Sequence, residues 1–374
     1  QLPSEVQVGR VRLVRLWPFA QRRTRGNAAV AVELNTGNEP DLISFLDSYW
    51  NDTVLSLRGR IQSSRHNDRE QFPADPGMVW FSEDTTDSVL YNNGLTTEIS
   101  IDELPIATAS WGGFGRIGAT LAVHWPAETV TYEAIAWRNE NSSGPRLLDE
   151  TAVKKVDEMK DTFLCRDSRL GTTMLAPRGN SPVLFGIRTW TIEAAEIAVQ
   201  ALISGRNTEP VNAWRIFETN QATNDHLQEL FEVKVESIEI LKGGHVVIQS
   251  ASKRFLAFKQ SGSICKVVQS LIVGDMIECK GLPAPDGSVH IEFIRILDLV
   301  PQKRRPVCTT CDKAMTSMGV GQGVRCKKCG HVSEEAWIYS ERNIEHRQWI
   351  QPPPSYRRHL AKPLDEDPTQ QNNL

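Results

Sequence analysis

Four cysteines near the C-terminus have the spacing of a metal site. Cys308 and Cys311 form one C-x-x-C pair, and Cys326 and Cys329 form a second pair fourteen residues later. Two such pairs can bring four thiolates together around one Zn²⁺, and a closed four-thiolate site leaves no coordination position for a substrate. The pattern therefore predicts a structural zinc ribbon. The alternative, two unrelated dithiols, is disfavoured because so short a segment has too little apolar core to fold without a metal.

The predicted ribbon is also strongly basic. Between residues 302 and 332 the only acidic residue is Asp312. Part of the positive charge can offset the two negative charges of a zinc tetrathiolate, and the remainder favours contacts with the phosphates of a nucleic acid. The basic residues are Lys303, Arg304, Arg305, Lys313, Arg325, Lys327 and Lys328.

A second basic segment lies near the N-terminus, where no acidic residue occurs from position 6 to position 32. Within it, one loop combines guanidinium groups, a hydroxyl and a glycine, which suits a triphosphate or an RNA backbone. These candidate residues are Arg22, Arg23, Thr24, Arg25, Gly26 and Asn27. Side chains that solvate a strand edge are the alternative.

Two further segments can carry chemistry, although each is weaker evidence. The glycine-rich loop with Gly113, Gly115 and Arg116 is a candidate for close approach to a phosphate, but it does not match the GxxxxGK[ST] pattern of a P-loop. The acidic segment 83–87 can supply oxygen ligands to Mg²⁺, and an exposed loop of carboxylates is the favoured alternative.

The elements that must position these residues change character along the chain. Strands are predicted over 11–17, 28–34, 77–81, 129–137 and 182–188, with helices over 41–50 (N-capped by Asp41), 149–163 and 192–203. This alternation indicates one or two α/β or α+β domains. From about residue 230, short strands at 231–241, 246–249, 254–258, 276–281 and 289–299, with a helix near 262–271, are typical of an OB-type barrel.

Composition limits the class of protein. The 374 residues contain 42 Lys and Arg against 46 Asp and Glu, a net charge of -4, so bulk charge alone does not indicate a nucleic-acid binder. No segment approaches the roughly 20 apolar residues of a membrane-spanning helix, and residues 1–5 do not have the pattern of a signal peptide. We therefore expect a cytoplasmic protein without a membrane partner.

Taken together, several segments resemble the archaeal agmatinylcytidine synthetase family, TiaS, over nearly the whole chain. The resemblance includes the C-terminal motif 353–364, which adds Arg357 and Arg358 to the candidate tRNA-binding residues. The segments that carry it are 12–16, 23–27, 76–79, 113–119, 131–136, 182–188, 217–223, 243–246, 317–326 and 353–364.

The resemblance implies an α+β multidomain architecture. A kinase-like α/β domain, without its N-terminal strand, and a ferredoxin-like domain would occupy 1–138 and continue through 139–228. An OB-fold barrel would follow at 229–300, a zinc ribbon at 301–335 and a C-terminal tail at 336–374.

The resemblance also implies an ATP-dependent ligase. In the family, ATP and Mg²⁺ serve to phosphorylate the C2 oxygen of the wobble cytidine of isoleucine tRNA with a CAU anticodon, and agmatine then displaces the phosphate. The modified tRNA reads AUA in place of AUG. The alternative is a non-catalytic homologue that binds tRNA or single-stranded nucleic acid.

One departure from the family bears on catalysis. The family begins with a strand that ends in Gly-Ile-Asp-Asp-Thr-Asp-Ser, and this chain starts at Gln1, after that region. The expected explanation is that the sequence is a fragment of a complete enzyme; loss of catalysis is the other. No catalytic residue is therefore assigned from the sequence.

Overall fold

The computed structural model describes the chain except residues 1, 24–25, 62–71, 178–180, 252, 343, 345–346 and 365–374. The chain divides into two compact units. The first consists of Gln1–Gln228, Leu282–Gly287 and Pro353–Leu374, and the second of Glu229–Gly281 and Ser288–Pro352. Within the described residues, no helix has both the length and the apolar character needed to cross a membrane.

The first unit is built from ten strands and five α-helices within the described residues. Its strands are β1 (Gln7–Arg15), β2 (Ala28–Asn35), β3 (Gly77–Trp80), β4 (Ala109–Gly112), β5 (Thr131–Arg138), β6 (Thr162–Phe163), β7 (Arg166–Asp167), β8 (Thr172–Thr173), β9 (Val183–Thr189) and β10 (Val211–Thr219). Its helices are α1 (Glu39–Tyr49), α2 (Ser88–Thr96), α3 (Gly115–Val123), α4 (Glu150–Asp157) and α5 (Ile192–Ile203).

A six-stranded sheet organises the first unit. The strand order is β2-β1-β10-β5-β9-β6, with β1 and β10 parallel and the other described pairings antiparallel. Because side chains alternate along a strand, Ala134, Ala136 and Ile187 point to one face. There they pack against α4 and α5 in a core that includes Val156 and Leu202. The opposite face carries a small apolar cluster of Leu13, Ile135 and Phe217.

Helix boundaries differ from the sequence predictions at two places. Asn38, and not Asp41, caps α1: its side chain accepts from the backbone N–H of Asp41, and Pro40 lies in the first turn, where its missing N–H costs no hydrogen bond. The predicted helix 149–163 begins as expected after Asp149 but ends at Asp157, and the segment Thr162–Phe163 joins the sheet as β6.

A C-terminal segment returns to the first unit, and we call residues 353–364 the strap. The backbone N–H groups of Ala222 and Asn224 donate to the carbonyls of His359 and Leu360, at 2.9 and 2.8 Å. Leu360 is 5% exposed and belongs to the core formed by β1, β2, α2 and α3. The strap is therefore part of the fold of the first unit, although the whole second unit separates it from residue 228 in sequence.

The second unit contains a second six-stranded sheet. The predicted strand 231–241 is divided into two strands at residues 235–236, and the other predicted strands and the helix are present. The elements are β11 (Phe231–Lys234), β12 (Ser237–Ile240), β13 (Val246–Ser250), β14 (Lys253–Ala257), α6 (Ser263–Ser270), β15 (Met276–Pro283) and β16 (Ser288–Asp298). The strand order in the sheet is β11-β15-β16-β14-β13-β12.

The sheet of the second unit encloses an apolar core. Val246, Ile248 and Ile277 are fully buried, and α6 adds Ile264 and Val268 to the same cluster. Phe255 is 2% exposed and packs against Phe231 with ring centroids 5.3 Å apart.

Short strands complete the second unit. β17 (Gln302–Arg304) pairs with β21 (Ile338–Ser340), while β18 (Thr316–Ser317), β19 (Val324–Arg325) and β20 (Val332–Ser333) form a three-stranded sheet. This small sheet lies in the cysteine-containing segment. Its apolar cluster consists of Cys308, Met315, Val324 and Cys326, with Cys311 and Ala336 at the edge.

Candidate functional site

The four predicted metal ligands converge. The sulfur atoms of Cys308, Cys311, Cys326 and Cys329 all lie within 4.8 Å of one another, and the Cys308 and Cys329 sulfurs are 3.5 Å apart. Each C-x-x-C pair closes a tight turn: Asp312 N–H donates to the Cys308 carbonyl, and Gly330 N–H donates to the Cys326 carbonyl, both at 2.9 Å. Among the described residues this is the one group of three or more such side chains arranged to hold a metal ion.

The electrostatics of this cluster fit a bound dication. Backbone N–H groups of Cys329 and Lys328 lower the pKa of Cys326 to about 7, so this sulfur readily carries negative charge. The hydrogen bond with Cys329 raises the pKa of Cys311 to about 12, because neighbouring sulfurs compete for charge. Zn²⁺ would remove that competition, since it binds thiolates. The donor set therefore fits Zn²⁺ in a structural role.

A second group of polar and charged side chains lies at one end of the sheet of the first unit. Here β1 and β10 end, β5 begins and β9 ends, and seven polar residues come together, none of them more than 7% exposed. They are Thr131, Glu133, Arg188, Thr189, Thr219, Asn220 and Gln221. Buried polar groups are costly unless they are paired. We call this group, together with Arg15 and His359, the polar cluster.

Asn220 ties the polar cluster to the backbone of β1. Its side-chain oxygen accepts from the Arg15 N–H at 2.7 Å, and its amide nitrogen donates to the Arg15 carbonyl at 2.8 Å. The same nitrogen donates to the Tyr91 hydroxyl at 2.8 Å, and that hydroxyl donates to Asp225 at 2.7 Å. Desolvation raises the pKa of both Tyr91 and Asp225.

A chain of hydrogen bonds runs from Arg15 to the strap. Glu133 Oε2 lies 3.2 Å from Arg15 Nη2 and accepts from Gln221 Nε2 at 2.5 Å. Gln221 Oε1 lies 3.1 Å from His359 Nδ1. A Cβ at Gly186 would lie 2.6 Å from Glu133 Oε1, so glycine at this position leaves room for the carboxylate.

The predicted N-terminal loop and the glycine-rich loop lie next to each other. Arg22, which is exposed, places its guanidinium 4.2 Å from the centre of the Phe114 ring, between Gly113 and Gly115. Gly26 has a φ of +78°, and a Cβ at this position would lie 3.1 Å from Arg15 Nη1. The loop therefore also borders the polar cluster. Thr24 and Arg25 lie outside the described residues.

Other members of the two loops contact the protein itself. Arg23 donates to the Ala20 carbonyl, Asn27 donates to the Trp17 carbonyl at 2.6 Å, and Arg116 donates to the Gly113 carbonyl at 3.3 Å. These contacts orient the side chains within the loops. Whether any of the residues binds a phosphate stays a prediction.

Close packing also explains why glycine is needed in the glycine-rich loop. A Cβ at Gly115 would lie 2.3 Å from the Gly77 nitrogen, which makes glycine necessary for the approach of α3 to β3. The Asp75 carboxylate accepts from the Phe114 N–H at 2.8 Å and so occupies the N-terminal end of α3. A carboxylate there satisfies a donor that a phosphate would otherwise use.

The candidate tRNA-binding residues fall into two groups. Lys303, Arg304, Arg305, Arg325, Lys327 and Lys328 belong to the second unit, whereas Arg357 and Arg358 belong to the strap. Arg305 lies 3.7 Å and Lys303 lies 4.9 Å from the centre of the Trp337 ring, which is 44% exposed. Arg358 lies 4.9 Å from the centre of the Phe19 ring.

The acidic segment 83–87 is an exposed loop of carboxylates, the arrangement that the sequence favoured over a Mg²⁺ site. Glu83, Asp84 and Asp87 are exposed, and the Asp87 carboxylate caps α2 by accepting from the Leu90 N–H at 2.9 Å.

Sequence reasoning missed the polar cluster as a site. Glu133, Gln221 and His359 lie in segments that carry the family resemblance, but they are far apart in sequence and nothing local indicates that they meet. The available signal is a single charged side chain in each of two otherwise largely apolar segments, Glu133 in 131–136 and Arg188 in 182–188.

Comparisons with known proteins agree over most of the chain. Residues 113–226 match the family model described as the TiaS FLD domain, and residues 305–344 match the TiaS C-terminal zinc ribbon domain. A tRNA 2-agmatinylcytidine synthetase TiaS of Methanosarcina mazei is 31% identical, with 94% of this chain and 88% of the relative covered. That of Ignisphaera aggregans is 30% identical, with 94% and 84% covered.

Solved structures of tRNA-acting enzymes are also similar to this chain over most of its length. The chain superposes with a TM-score of 0.75 on a crystal structure of TiaS in complex with an isoleucine tRNA and ATP, at 28% identity, covering 96% of this chain and 88% of that one. It superposes with a TM-score of 0.76 on a tRNA fluorescent labeling enzyme, at 27% identity, covering 98% and 91%.

Replacing one metal ligand tests the zinc assignment. Cys326→Ser removes the sulfur with the lowered pKa, so we expect the purified protein to lose its zinc, measured per chain by elemental analysis. Cys265→Ser is the matched control, because Cys265 is buried in the second unit outside the four-sulfur group and should leave the zinc content unchanged. Full zinc content in Cys326→Ser would contradict the assignment.

Asn220→Asp tests the link between β1 and β10. The substitution keeps size but removes the donors to Arg15 and Tyr91 and buries a charge, so we expect a loss of about 3 kcal/mol in the free energy of unfolding at pH 8. The new carboxyl should have a raised pKa, so the loss relative to wild type should shrink at pH 5, where protonation restores one donor.

Urea unfolding at the two pH values measures the Asn220→Asp effect. Asn139→Asp is the control, since Asn139 is exposed and its side-chain oxygen already acts as an acceptor. An equal and small effect of both substitutions would show that the Asn220 contacts do not support the fold.

Proposed function

The chain belongs to the TiaS family of tRNA 2-agmatinylcytidine synthetases, and we propose that it joins agmatine to C2 of the wobble cytidine of isoleucine tRNA with a CAU anticodon. The observation that carries this proposal is the 31% identity to a named synthetase over 94% of the chain. The relatives that align are synthetases, so they give no support to a non-catalytic binding module.

The chemistry explains the need for ATP. The C2 oxygen of cytidine is a poor leaving group, so direct displacement by an amine would be slow. Transfer of the γ-phosphoryl group to this oxygen turns it into part of a phosphate. When the primary amine of agmatine attacks C2, a C–N bond forms, the C–O bond breaks, and phosphate leaves with the electron pair while the nitrogen gives up its protons. The modified base then pairs with A, so the tRNA reads AUA.

We propose that the loop containing Arg22 and Gly26, together with Arg116, contributes to phosphate binding. The support is the approach of Arg22 to Phe114 in the glycine-rich loop, which brings two candidate segments into one place. Guanidinium groups stabilise the charge that develops during phosphoryl transfer. Mg²⁺ would supply further positive charge on the phosphates of ATP.

We also propose the finer architecture that family membership implies. The first unit would combine kinase-like and ferredoxin-like modules, and the sheet of the second unit would be an OB-fold barrel. The strand order of the second sheet, with α6 between β14 and β15, supports the barrel. Such an enzyme must bind a cytidine that has turned out of the anticodon loop.

The ribbon would supply tRNA affinity. Lys327 and Lys328 are both exposed and follow Cys326 directly, so the metal-bound turn would hold two ammonium groups at the protein surface. Trp337, with Lys303 and Arg305 against its ring, adds an aromatic surface beside positive charge, a combination that suits RNA.

A modification assay tests the activity. Incubation of the full-length gene product with isoleucine tRNA, ATP and agmatine should give a mass increase confined to the wobble nucleotide after nuclease digestion. Omitting ATP or agmatine, or supplying a tRNA whose wobble base is not cytidine, should abolish the increase. If tRNA binds but no product forms, the chain is a binding protein and the proposed activity is wrong.

Charge removal tests the ribbon contact. Lys327→Ala with Lys328→Ala should weaken tRNA binding and reduce the slope of log K against log salt concentration by about 2, because each phosphate contact releases roughly one counterion. Lys234→Ala is the control, an exposed lysine of the second unit outside the ribbon. An unchanged slope with normal zinc content would exclude these two lysines from the tRNA contact.

A further inference from the structure

The strap contributes one side chain, His359, to the polar cluster. The residues on either side of His359 anchor the strap: Leu360 lies in the apolar core and Arg358 lies against the Phe19 ring. The main chain around it is held by two hydrogen bonds to the 222–224 turn, in which Ala222 and Asn224 have positive φ values of 55° and 65°. The imidazole is therefore fixed in place.

The hydrogen bonds define the state of the imidazole. Gln221 Nε2 must donate to Glu133, because a carboxylate offers no proton. The other end of the same amide, Oε1, is then an acceptor, so His359 Nδ1 must carry the proton. In a neutral ring this leaves a lone pair on Nε2.

The surrounding charges keep the ring neutral. The positive charge of Arg15, then desolvation, then the charge of Arg188, hold the pKa of His359 well below its usual value.

We propose that His359 is a positioning residue for the modification reaction, because it fixes the amide of Gln221 and, through it, the Glu133 carboxylate and the Arg15 guanidinium at the end of the sheet. This proposal rests on the proposed function. Arg15 in turn borders Gly26 in the loop proposed to bind phosphate, so the chain of contacts leads from the strap to that loop. A reorientation of the Gln221 amide would break the contact with Glu133 and leave the carboxylate that pairs with Arg15 held by fewer hydrogen bonds.

The test compares variants that separate hydrogen bonding from strap docking. His359→Leu removes the donor to Gln221, whereas His359→Asn retains an N–H near the position of Nδ1. Leu360→Ala, on the neighbouring residue, loosens the strap in the apolar core without touching the hydrogen-bond chain. For each full-length variant we would measure kcat, KM for agmatine, Kd for tRNA and Tm.

We expect His359→Leu to lower kcat roughly 10- to 100-fold, the range seen when a reacting group is slightly misplaced, with Kd for tRNA unchanged. His359→Asn should recover most of that loss. Leu360→Ala should lower Tm more than His359→Leu does and yet retain more of the activity. The proposal would be overturned if kcat for His359→Leu were within about twofold of wild type. It would also be overturned if the loss of kcat in the three variants simply increased with the loss of Tm.

A second measurement does not depend on activity. Long-range ¹H–¹⁵N NMR of the imidazole should show the Nδ1–H tautomer at neutral pH, and Gln221→Leu should shift those nitrogen resonances. An Nε2–H tautomer or a charged ring would overturn the proposal even in an active enzyme. If wild type forms no product but the NMR result is as expected, the proposed function fails while the hydrogen-bond chain stands.

Discussion

The first unit depends on how a buried amide completes a strand pairing. β1 and β10 are parallel neighbours, and where their backbone ladder ends, the Asn220 side chain continues it by pairing with both polar groups of the Arg15 backbone. A side chain that replaces backbone pairing leaves the chain after Thr219 free to turn. That turn carries Gln221 into the polar cluster and presents Ala222 and Asn224 to the strap. The pairing of β1 with β10, the polar cluster and the docking of the strap therefore all depend on one buried residue, Asn220.

The two units satisfy different physical requirements of the same reaction. Recognition of a tRNA needs exposed positive charge and aromatic surface, and the ribbon holds both on a metal-stapled turn with a very small core. Phosphoryl and amine transfer need charged groups whose positions do not relax, and under the proposals made above the buried polar cluster would provide them. A modest net charge of -4 is compatible with both, because the positive charge is concentrated locally.

Local patterns made the ribbon and most helices and strands predictable from the sequence. The four cysteines lie within 22 residues of one another, so their spacing alone specified the metal site. The end of α4 was not predictable, because residues 158–163 continue a helical pattern and only pairing with β9 draws Thr162 and Phe163 into the sheet. Glu133, Gln221 and His359 meet across more than 200 residues of sequence, and a single sequence without the fold does not show which of its polar residues meet.

The route of the chain also delays one contribution to the polar cluster until after the second unit has been synthesised. The ribosome releases residues 1–228 and the whole second unit before it releases His359 and Leu360. Until then, Ala222 and Asn224 lack the strap carbonyls they donate to, and the core around Tyr91 lacks one of its members. A prematurely terminated chain could thus carry an intact ribbon and still lack a finished first unit. Because the strap follows the second unit in sequence, synthesis of that unit is a condition for completing the cluster, and copies truncated before residue 353 do not carry the full set of contacts.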